Sequence, residues 1–283
     1  MTNFVQRTLS GIVYVGIVVA CILVHPALFN AVFVCVTMLA VREYMLLRKS
    51  DHFLRIVSML LAGVLFEIAW WIGFGVGNAV WLIPALGFVY GIGLISVLIS
   101  ELYRKATDPV KNWGDLLISQ MMIAVPFAMM NGILYAGQWL LLALFVLIWL
   151  NDSGAYCVGS LLSKRKGGNH KMFPRVSPNK SWEGLIGGAV VAVGAAFIMA
   201  QFGCLNALPT VGAPWVSTLL FALTVVVFGT LGDLMESLMK RTIGIKDSGK
   251  FMPGHGGVLD RFDSILLAAP AIGFYIFILL FVQ

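Results

Sequence analysis

Acidic and basic side chains share one helical face near the end of a long apolar run. Asp233, Glu236, Ser237 and Lys240 follow one another at intervals of three, one and three residues. Because an α-helix repeats about every 3.6 residues, these intervals place all four side chains on one face. The pattern predicts an amphipathic extension of the helix formed by the apolar run 214–232.

A second carboxylate pair, Asp260 and Asp263, stands just before the last apolar run. Carboxylates at the depth where a helix enters lipid are costly unless basic side chains or a bound cation neutralise them. Oxygen ligands with no Cys or His cluster nearby suit Mg²⁺ better than zinc. On spacing alone two interpretations stay open: a metal centre, or structural Asp–Arg and Glu–Lys bridges that stabilise helix ends.

Features suited to phosphate binding lie in the same loop and in the segment 151–184. Three of the five residues 253–257 are glycine, which lets the backbone approach a ligand. In the segment 151–184, Asp152 and Tyr156 share a helical stripe, and Ser181 has the position of a helix N-cap. Six Lys and Arg residues accompany them. Cations, hydroxyls and helix N-termini beside carboxylates are what a polyphosphate–metal complex requires.

The composition places these motifs in a membrane protein. Charged residues make up only 11% of the 283 residues, against about 25% in a typical soluble domain. Hydrophobic residues reach 60% and the mean hydropathy is +0.94, which excludes a water-soluble globule. The second and sixth of nine apolar stretches are short, which leaves room there for tilted, partly buried or merged helices. The stretches are 9–27, 28–41, 56–75, 78–100, 116–135, 138–151, 184–203, 214–232 and 264–282.

The basic residues indicate how the spans are oriented. With nine spans and a cytoplasmic N-terminus, all 19 Lys and Arg residues fall in cytoplasmic segments, where membrane proteins concentrate them. We therefore predict an all-α, polytopic integral membrane protein of about nine transmembrane helices, with the N-terminus cytoplasmic and the C-terminus outside. Along the chain we predict about four N-terminal spans in 1–115, and middle spans with a basic cytoplasmic loop in 116–183. The catalytic spans follow in 184–283, with a signature loop at 233–263.

The C-terminal motifs resemble the signature of the phosphatidate cytidylyltransferases, or CDP-diacylglycerol synthases. No position departs from that signature over 27 residues, which read Ser237-x-x-Lys240-Arg241, Lys246-Asp247-Ser248-Gly249, Pro253-Gly254-His255-Gly256-Gly257 and Asp260-Arg261-Phe262-Asp263. Two further motifs of the family are similar to Asp152-Ser153-Gly154-Ala155-Tyr156 and Ser177-Pro178-x-Lys180-x-Trp182-x-Gly184. In the N-terminal half only the general hydrophobicity is similar.

The resemblance implies that the phosphate of phosphatidic acid attacks the α-phosphorus of CTP, giving CDP-diacylglycerol and pyrophosphate. It implies Mg²⁺, with a second cation left open, bound by Asp233, Asp260 and Asp263. Lys246 and Asp247 complete the implied catalytic set. The implied substrate-binding residues are Asp152, Tyr156, Ser177, Lys180, Trp182, Ser237, Lys240, Arg241, His255, Gly256, Gly257 and Arg261.

The resemblance also implies the surroundings of the protein. Its partners would be CTP, phosphatidic acid, the lipid bilayer and a second copy of the chain in a homodimer, without nucleic acid. The protein would be a multi-pass component of the inner membrane of the cell, with its active site on the cytoplasmic side.

Two other functions compete with this interpretation. Another transferase that joins a nucleotide to a lipid phosphate, of the polyprenyl-phosphate sugar-phosphate type, also uses cytoplasmic Asp clusters, but its usual paired-Asp motif is absent from this sequence. An anion transporter would line a pathway with charge in mid-bilayer. Here charge concentrates at one face, and Glu67 is the single exception.

The predicted orientation can be tested by labelling. In a variant without Cys21, Cys35, Cys157 and Cys204, single cysteines introduced at Lys111 or Lys171 should react only with a reagent applied from the cytoplasm. A reporter fused after Gln283 should be accessible only from the other side. Reaction of either cysteine from the outer face would contradict the nine-span topology.

Overall fold

The computed structural model describes residues 3–75, 80–164, 168–210, 212–249 and 256–282. Within these ranges the chain forms helices and one two-stranded antiparallel sheet, which confirms the predicted all-α class apart from a small hairpin. The chain divides into two compact units. The first comprises residues 1–135 and 247–262, and the second comprises 136–246 and 263–283. The predicted three-part division along the chain stays a prediction.

The first unit is built from six long or medium helices and one short helix. The helices are α1 (Asn3–Val24), α2 (Pro26–Leu47), α3 (His52–Phe74), α4 (Leu82–Tyr103), α5 (Pro109–Ser119), α6 (Val125–Ala136) and α10 (Leu259–Phe262). A π-helical turn at Gln120–Ala124 joins α5 to α6. The side chain of Asp51 accepts a hydrogen bond from the N–H of Leu54 and so caps α3, and Asp108 caps α5 in the same way.

Phe262 anchors the short helix α10 to the core of the first unit. Its ring packs edge-on against Tyr14 of α1, Phe33 of α2 and Phe127 of α6, with ring centroids 5.6, 5.8 and 5.3 Å apart. Aromatic pairs at such distances favour this edge-to-face geometry. The contacts hold the segment that carries Asp260 against three helices from the N-terminal part of the chain.

A buried acid, Asp115 of α5, holds two cations of the first unit. Its carboxylate lies 2.6 Å from Nε of Arg48 and 2.8 Å from Nζ of Lys111. The hydrogen bond that Arg48 donates to Asp115 raises the pKa of the Arg48 guanidinium. Because Asp115 is only 1% exposed, its charge depends on these two partners for compensation.

The second unit contains four helices and the hairpin. They are α7 (Gln138–Leu162), β1 (Lys171–Phe173), β2 (Ser177–Ser181), α8 (Trp182–Gln201), α9 (Pro214–Thr242) and α11 (Ile265–Val282). Glycines let α7 and α8 approach closely: a Cβ on Gly188 would lie 2.5 Å from the carbonyl oxygen of Asn151, and one on Gly184 would lie 2.9 Å from that of Ala155. Small residues four apart are typical of close helix packing in membranes.

Eight helical segments of the described residues are long and apolar enough to cross a membrane, where Pro109–Ala136 counts as one segment and Leu259–Ile278 as another. Within α1, Thr8–Val24 forms a shorter apolar helix. The protein is therefore a multi-pass membrane protein, as predicted. The two stretches expected to be short belong to full-length helices, α2 with 22 residues and α7 with 25. The apolar runs underestimated them because both helices continue through polar residues at one end. The orientation of the termini stays a prediction.

The ion pairs of Asp115 predict a measurable contribution to stability. Asp115→Ala removes the carboxylate that Arg48 and Lys111 share, although Nζ of Lys111 keeps its bond of 3.0 Å to the carbonyl oxygen of Arg48. We expect the free energy of unfolding to fall by about 1–3 kcal/mol, because both cations can still turn towards water. Thermal unfolding in detergent, followed by tryptophan fluorescence, should show a lower midpoint. The control is Lys105→Ala, an exposed position in the same unit. Equal midpoints for the two variants would contradict the assigned role of Asp115.

Candidate functional site

Asp233 is the centre of a charged cluster in the second unit. It lies on α9, and its Oδ2 is 2.6 Å from Nζ of Lys180, the penultimate residue of β2. Its Oδ1 accepts a hydrogen bond of 3.2 Å from the hydroxyl of Ser237, one turn further along α9. Both charged side chains of the ion pair are 25% exposed, so the pair is accessible to a ligand. The structure thus joins three of the predicted site residues.

Asp263 belongs to the same cluster because the backbone of α9 comes very close to it. A Cβ on Gly232 would lie 2.7 Å from the carbonyl oxygen of Asp263, so only glycine allows this approach. The carboxylate of Asp263 accepts a hydrogen bond of 2.6 Å from the N–H of Ser264. It is within electrostatic range of Asp152 and Asp233. Three carboxylates therefore gather where the apolar stretches 138–151 and 214–232 end and the stretch 264–282 begins.

The hairpin formed by β1 and β2 presents Lys180 to this cluster, and the sequence patterns did not predict it. Its strands pair Lys171 with Ser181, and Phe173 with Ser177. Arg241 fastens the turn of the hairpin, since its Nε donates to the carbonyl oxygen of Val176 at 3.3 Å. Ser181 then accepts a hydrogen bond from the N–H of Gly184, which confirms the predicted N-cap of α8.

Lys240 and Arg241 have partners within the protein. Nζ of Lys240 is 2.5 Å from Glu236, one turn earlier on α9, and both residues are buried. The guanidinium of Arg241 contacts backbone carbonyl groups, including that of Ile245 at 3.0 Å. The segment that carries Asp233, Glu236, Ser237 and Lys240 is thus helical, as predicted. The contact of these cations with substrate phosphate stays a prediction.

Several other predicted residues of the second unit lie on its surface. Tyr156 on α7 and Trp182 on α8 are 76% and 50% exposed, and Lys246 is exposed as well. Ser177 pairs within the hairpin and is half-buried. In the described part of the chain, no hydrogen bond joins these four residues to Asp233 or its neighbours, so their roles in substrate binding stay predictions.

The remaining predicted acid, Asp260, holds a loop of the first unit. Its two carboxylate oxygens accept hydrogen bonds from the N–H of Ser248, at 3.2 and 2.9 Å, and Oδ2 also accepts one from Gly257, at 2.7 Å. Gly256 has φ +85°, and a Cβ there would touch Oδ2 of Asp260. Asp260 therefore ties together the two ends of the segment 248–257.

Glu43 on α2 is a buried acid that the sequence analysis did not single out. Its Oε1 accepts a hydrogen bond of 2.5 Å from the hydroxyl of Ser248, and its Oε2 accepts bonds of 2.7 and 3.1 Å from the N–H groups of Val258 and Leu259. The sequence holds one signal, an acid followed by the apolar residues 44–47. The predicted apolar stretch 28–41 ends two residues before Glu43, so hydropathy alone places this acid outside the spans.

Two further predicted residues belong to the first unit, and one cannot be placed. Arg261 is half-buried, and its carbonyl oxygen accepts a hydrogen bond of 3.0 Å from the hydroxyl of Tyr14. Asp247 is exposed. His255 lies outside the described residues.

The donors of the second-unit cluster suit a hard divalent cation. The side chains of Asp152, Asp233 and Asp263 offer only oxygen ligands. Among the described ion pairs, Lys180 is the one cation within 4 Å of any of these three carboxylates. Excess negative charge beside hydrocarbon favours a bound cation. Among the described residues, however, no three Asp, Glu, His or Cys side chains are already arranged to hold a metal ion. The chemistry of the donors fits Mg²⁺, and its binding stays a proposal.

Comparison with known proteins agrees with the resemblance seen in the motifs. The model of the cytidylyltransferase family matches residues 5–281. The phosphatidate cytidylyltransferase of Bacillus subtilis is 34% identical over 281 residues, which cover 97% of this chain and 98% of that protein. The enzyme of the same name from Haemophilus influenzae is 43% identical over 146 residues, 52% of this chain and 48% of the relative. That from Staphylococcus saprophyticus is 43% identical over 136 residues, 47% of each. A match along nearly the whole length leaves one conclusion: the chain belongs to the cytidylyltransferase family.

Proposed function

We propose that the protein transfers the cytidylyl group of CTP to phosphatidic acid at the cytoplasmic face of the membrane, giving CDP-diacylglycerol and pyrophosphate. Membership of the family and the names of its relatives support this reaction. The observation that carries it is the cluster of Asp152, Lys180, Asp233 and Asp263, whose carboxylates stand directly beside apolar stretches of the chain. A lipid substrate and a charged nucleotide have to meet at such a boundary.

The reaction makes modest demands on acid–base chemistry. An oxygen of the lipid phosphate attacks the α-phosphorus of CTP, the bond from that phosphorus to the β-phosphate oxygen breaks, and pyrophosphate leaves with the electron pair. The attacking phosphate is already an anion at neutral pH, so no strong base is needed. Positioning and charge neutralisation dominate the catalysis of such transfers.

The charges of the cluster suit that task. Lys180 reaches the site from the hairpin, where Arg241 fixes the turn, and its ammonium group would neutralise a phosphate oxygen. Ser237 fixes the orientation of Asp233 through its hydroxyl. The exposed Lys246 offers a further cation to the triphosphate or to departing pyrophosphate. The diacyl tails would stay in the bilayer beside the apolar helices.

A divalent cation would be held by Asp233 and Asp263, with Asp152 beside them, and Asp260 stays a predicted ligand. Bound there, Mg²⁺ would neutralise charge on the phosphate oxygens of CTP. The inner membrane, the cytoplasmic orientation and the homodimer that the family resemblance implies are part of the same proposal.

The proposed reaction is tested with purified full-length protein in detergent or nanodiscs. CTP labelled at the α-phosphate should yield labelled lipid when phosphatidic acid and Mg²⁺ are present, whereas CTP labelled at the γ-phosphate should yield only labelled pyrophosphate. Polyprenyl phosphate replaces phosphatidic acid in a control arm. Product with the polyprenyl lipid and none with phosphatidic acid would exclude the proposed function in favour of its nearest competitor.

Removal of charge from the cluster should abolish most of the activity. Asp233→Asn and Asp263→Asn keep the shape of the side chain but lose a charge, and we expect each to lower turnover at least about a hundredfold. Each should also weaken the binding of Mn²⁺, measured by electron paramagnetic resonance as a stand-in for Mg²⁺. Asp260→Asn distinguishes two roles of Asp260. If Asp260 is a metal ligand, the substitution lowers the affinity for Mn²⁺, whereas if it only holds the loop, that affinity is unchanged.

The control for these variants is Asp108→Asn. Asp108 is an exposed N-cap, and asparagine caps a helix as well as aspartate does. This variant should keep normal turnover and Mn²⁺ affinity. Near-normal turnover of Asp233→Asn or Asp263→Asn over a Mg²⁺ titration would remove that residue from the proposed metal site.

Lys180 of the cluster and the exposed Lys246 should matter more than the cations of loops that carry no predicted site residue. Lys180→Gln and Lys246→Gln each remove a charge-assisted hydrogen bond to phosphate, and we expect kcat/KM for CTP to fall about ten- to a hundredfold. Lys49→Gln and Lys105→Gln are the controls, since both are exposed and orientation depends on the total charge bias of the loops. The measurement is the initial rate of each variant as a function of CTP concentration at a fixed lipid concentration. Equal, small effects in both groups would mean that Lys180 and Lys246 do not meet the nucleotide.

A further inference from the structure

Glu43 lies far from the signature residues in sequence but contacts them directly. It is 205 residues from Ser248 and 215 from Val258, and its three hydrogen bonds reach both ends of the segment 248–259. Its residue is only 8% exposed. A buried carboxylate needs such donors, and here all of the partners that the structure gives it are hydroxyl and N–H groups.

Two carboxylates share the ends of this segment. Ser248 donates its hydroxyl to Glu43 and its N–H to Asp260. At the other end of the segment, Gly257 donates its N–H to Asp260, and Val258 and Leu259 donate theirs to Glu43. These N–H groups come at the start of α10, where a helix has no internal acceptors for them. The two acids thus satisfy groups that would otherwise be buried without partners.

The carboxylate of Glu43 also accounts for two glycines of the signature. A Cβ added to Gly257 would overlap Oε1 of Glu43, and a Cβ added to Gly249 would collide with the same atom. Neither residue has the positive φ that reserves a position for glycine. The carboxylate of Glu43 occupies the volume that a side chain at Gly249 or Gly257 would need, which explains why both positions are glycine.

We infer that Glu43 is a positioning residue of the enzyme. Its hydrogen bonds hold the two ends of the segment 248–259 in a fixed geometry. It acts through Ser248, Val258 and Leu259 and not by contact with substrate. The consequence for activity rests on the proposed function, because it supposes that Asp260 and its neighbours serve the cytidylyl transfer. The consequence for the segment itself does not depend on that function.

The test compares two substitutions of Glu43. Glutamine can keep all three hydrogen bonds, since its carbonyl oxygen accepts from the two N–H groups and its amide donates to the hydroxyl of Ser248. Glu43→Gln should therefore retain kcat/KM close to the wild-type value. Glu43→Ala removes every bond and should lower kcat/KM about a hundredfold, as expected when reacting groups are misplaced. Thermal midpoints of both variants show whether the whole fold survives.

A second readout is independent of activity. Amide hydrogen exchange of the peptide 256–262 should speed up in Glu43→Ala and stay at the wild-type rate in Glu43→Gln. Glu101→Ala, which removes another buried acid of the same unit, should leave this peptide unchanged. If the wild-type protein forms no CDP-lipid, the proposed function fails, and the exchange rates still decide whether Glu43 holds the segment.

Gly257→Ala completes the design. Alone it should lower activity strongly, because the new methyl group meets the carboxylate of Glu43. In the Glu43→Ala background the carboxylate is gone, and the hydroxyl of Ser248, which loses its acceptor, can rotate away from the new methyl group, so the added substitution should cost little more. The inference is overturned if Glu43→Gln is as inactive as Glu43→Ala, which would show that the charge matters and not the geometry. It is also overturned if Glu43→Ala, or Ser248→Ala should that variant not fold, leaves exchange and activity at wild-type values.

Discussion

A carboxylate at the edge of an apolar helix bundle has to be compensated, and this constraint organises the polar parts of the protein. Charge that leaves water without a partner costs several kcal/mol. The chain meets the demand in different ways: Asp115 binds two cations, Glu43 accepts three hydrogen bonds, and Asp233 pairs with Lys180. Acids with a structural role and acids of the proposed site therefore look alike in the sequence and differ in their partners. Of these three acids in the described part of the chain, Asp233 is the one whose cluster combines excess negative charge with accessibility.

Close backbone approach is the second requirement, and glycines provide it around Asp263 and around Glu43 and Asp260. In the second unit Gly232 lets α9 come up to the carbonyl group of Asp263, which brings two acids of distant sequence together. In the first unit the signature glycines make room for the carboxylates of Glu43 and Asp260. A glycine-rich motif is often read as a surface for a ligand. Here the described glycines first serve the packing of acids of the same chain.

Much of the fold and part of the site could be predicted from local patterns. Hydropathy predicted the spans, the spacing of Asp233 and Lys240 predicted the extension of α9, and Ser181 was correctly assigned as an N-cap. The hairpin was missed because its short strands have no alternation of apolar and polar residues. The role of Glu43 was missed because its partners lie more than 200 residues away. Local patterns carry no information about which distant donors will satisfy an acid.

In the proposed reaction an oxygen of the lipid phosphate attacks the α-phosphorus of CTP, assisted by charges that the protein gathers where its apolar stretches 138–151 and 214–232 end. The most direct measurement follows the oxygen atoms. Phosphatidic acid carrying ¹⁸O in its three terminal phosphate oxygens is converted with unlabelled CTP, and both products are analysed by mass spectrometry. Attack by the lipid phosphate keeps all three heavy oxygens in the CDP-lipid and leaves none in pyrophosphate, and we expect this distribution. Heavy oxygen in pyrophosphate, or its loss from the lipid product, would contradict it.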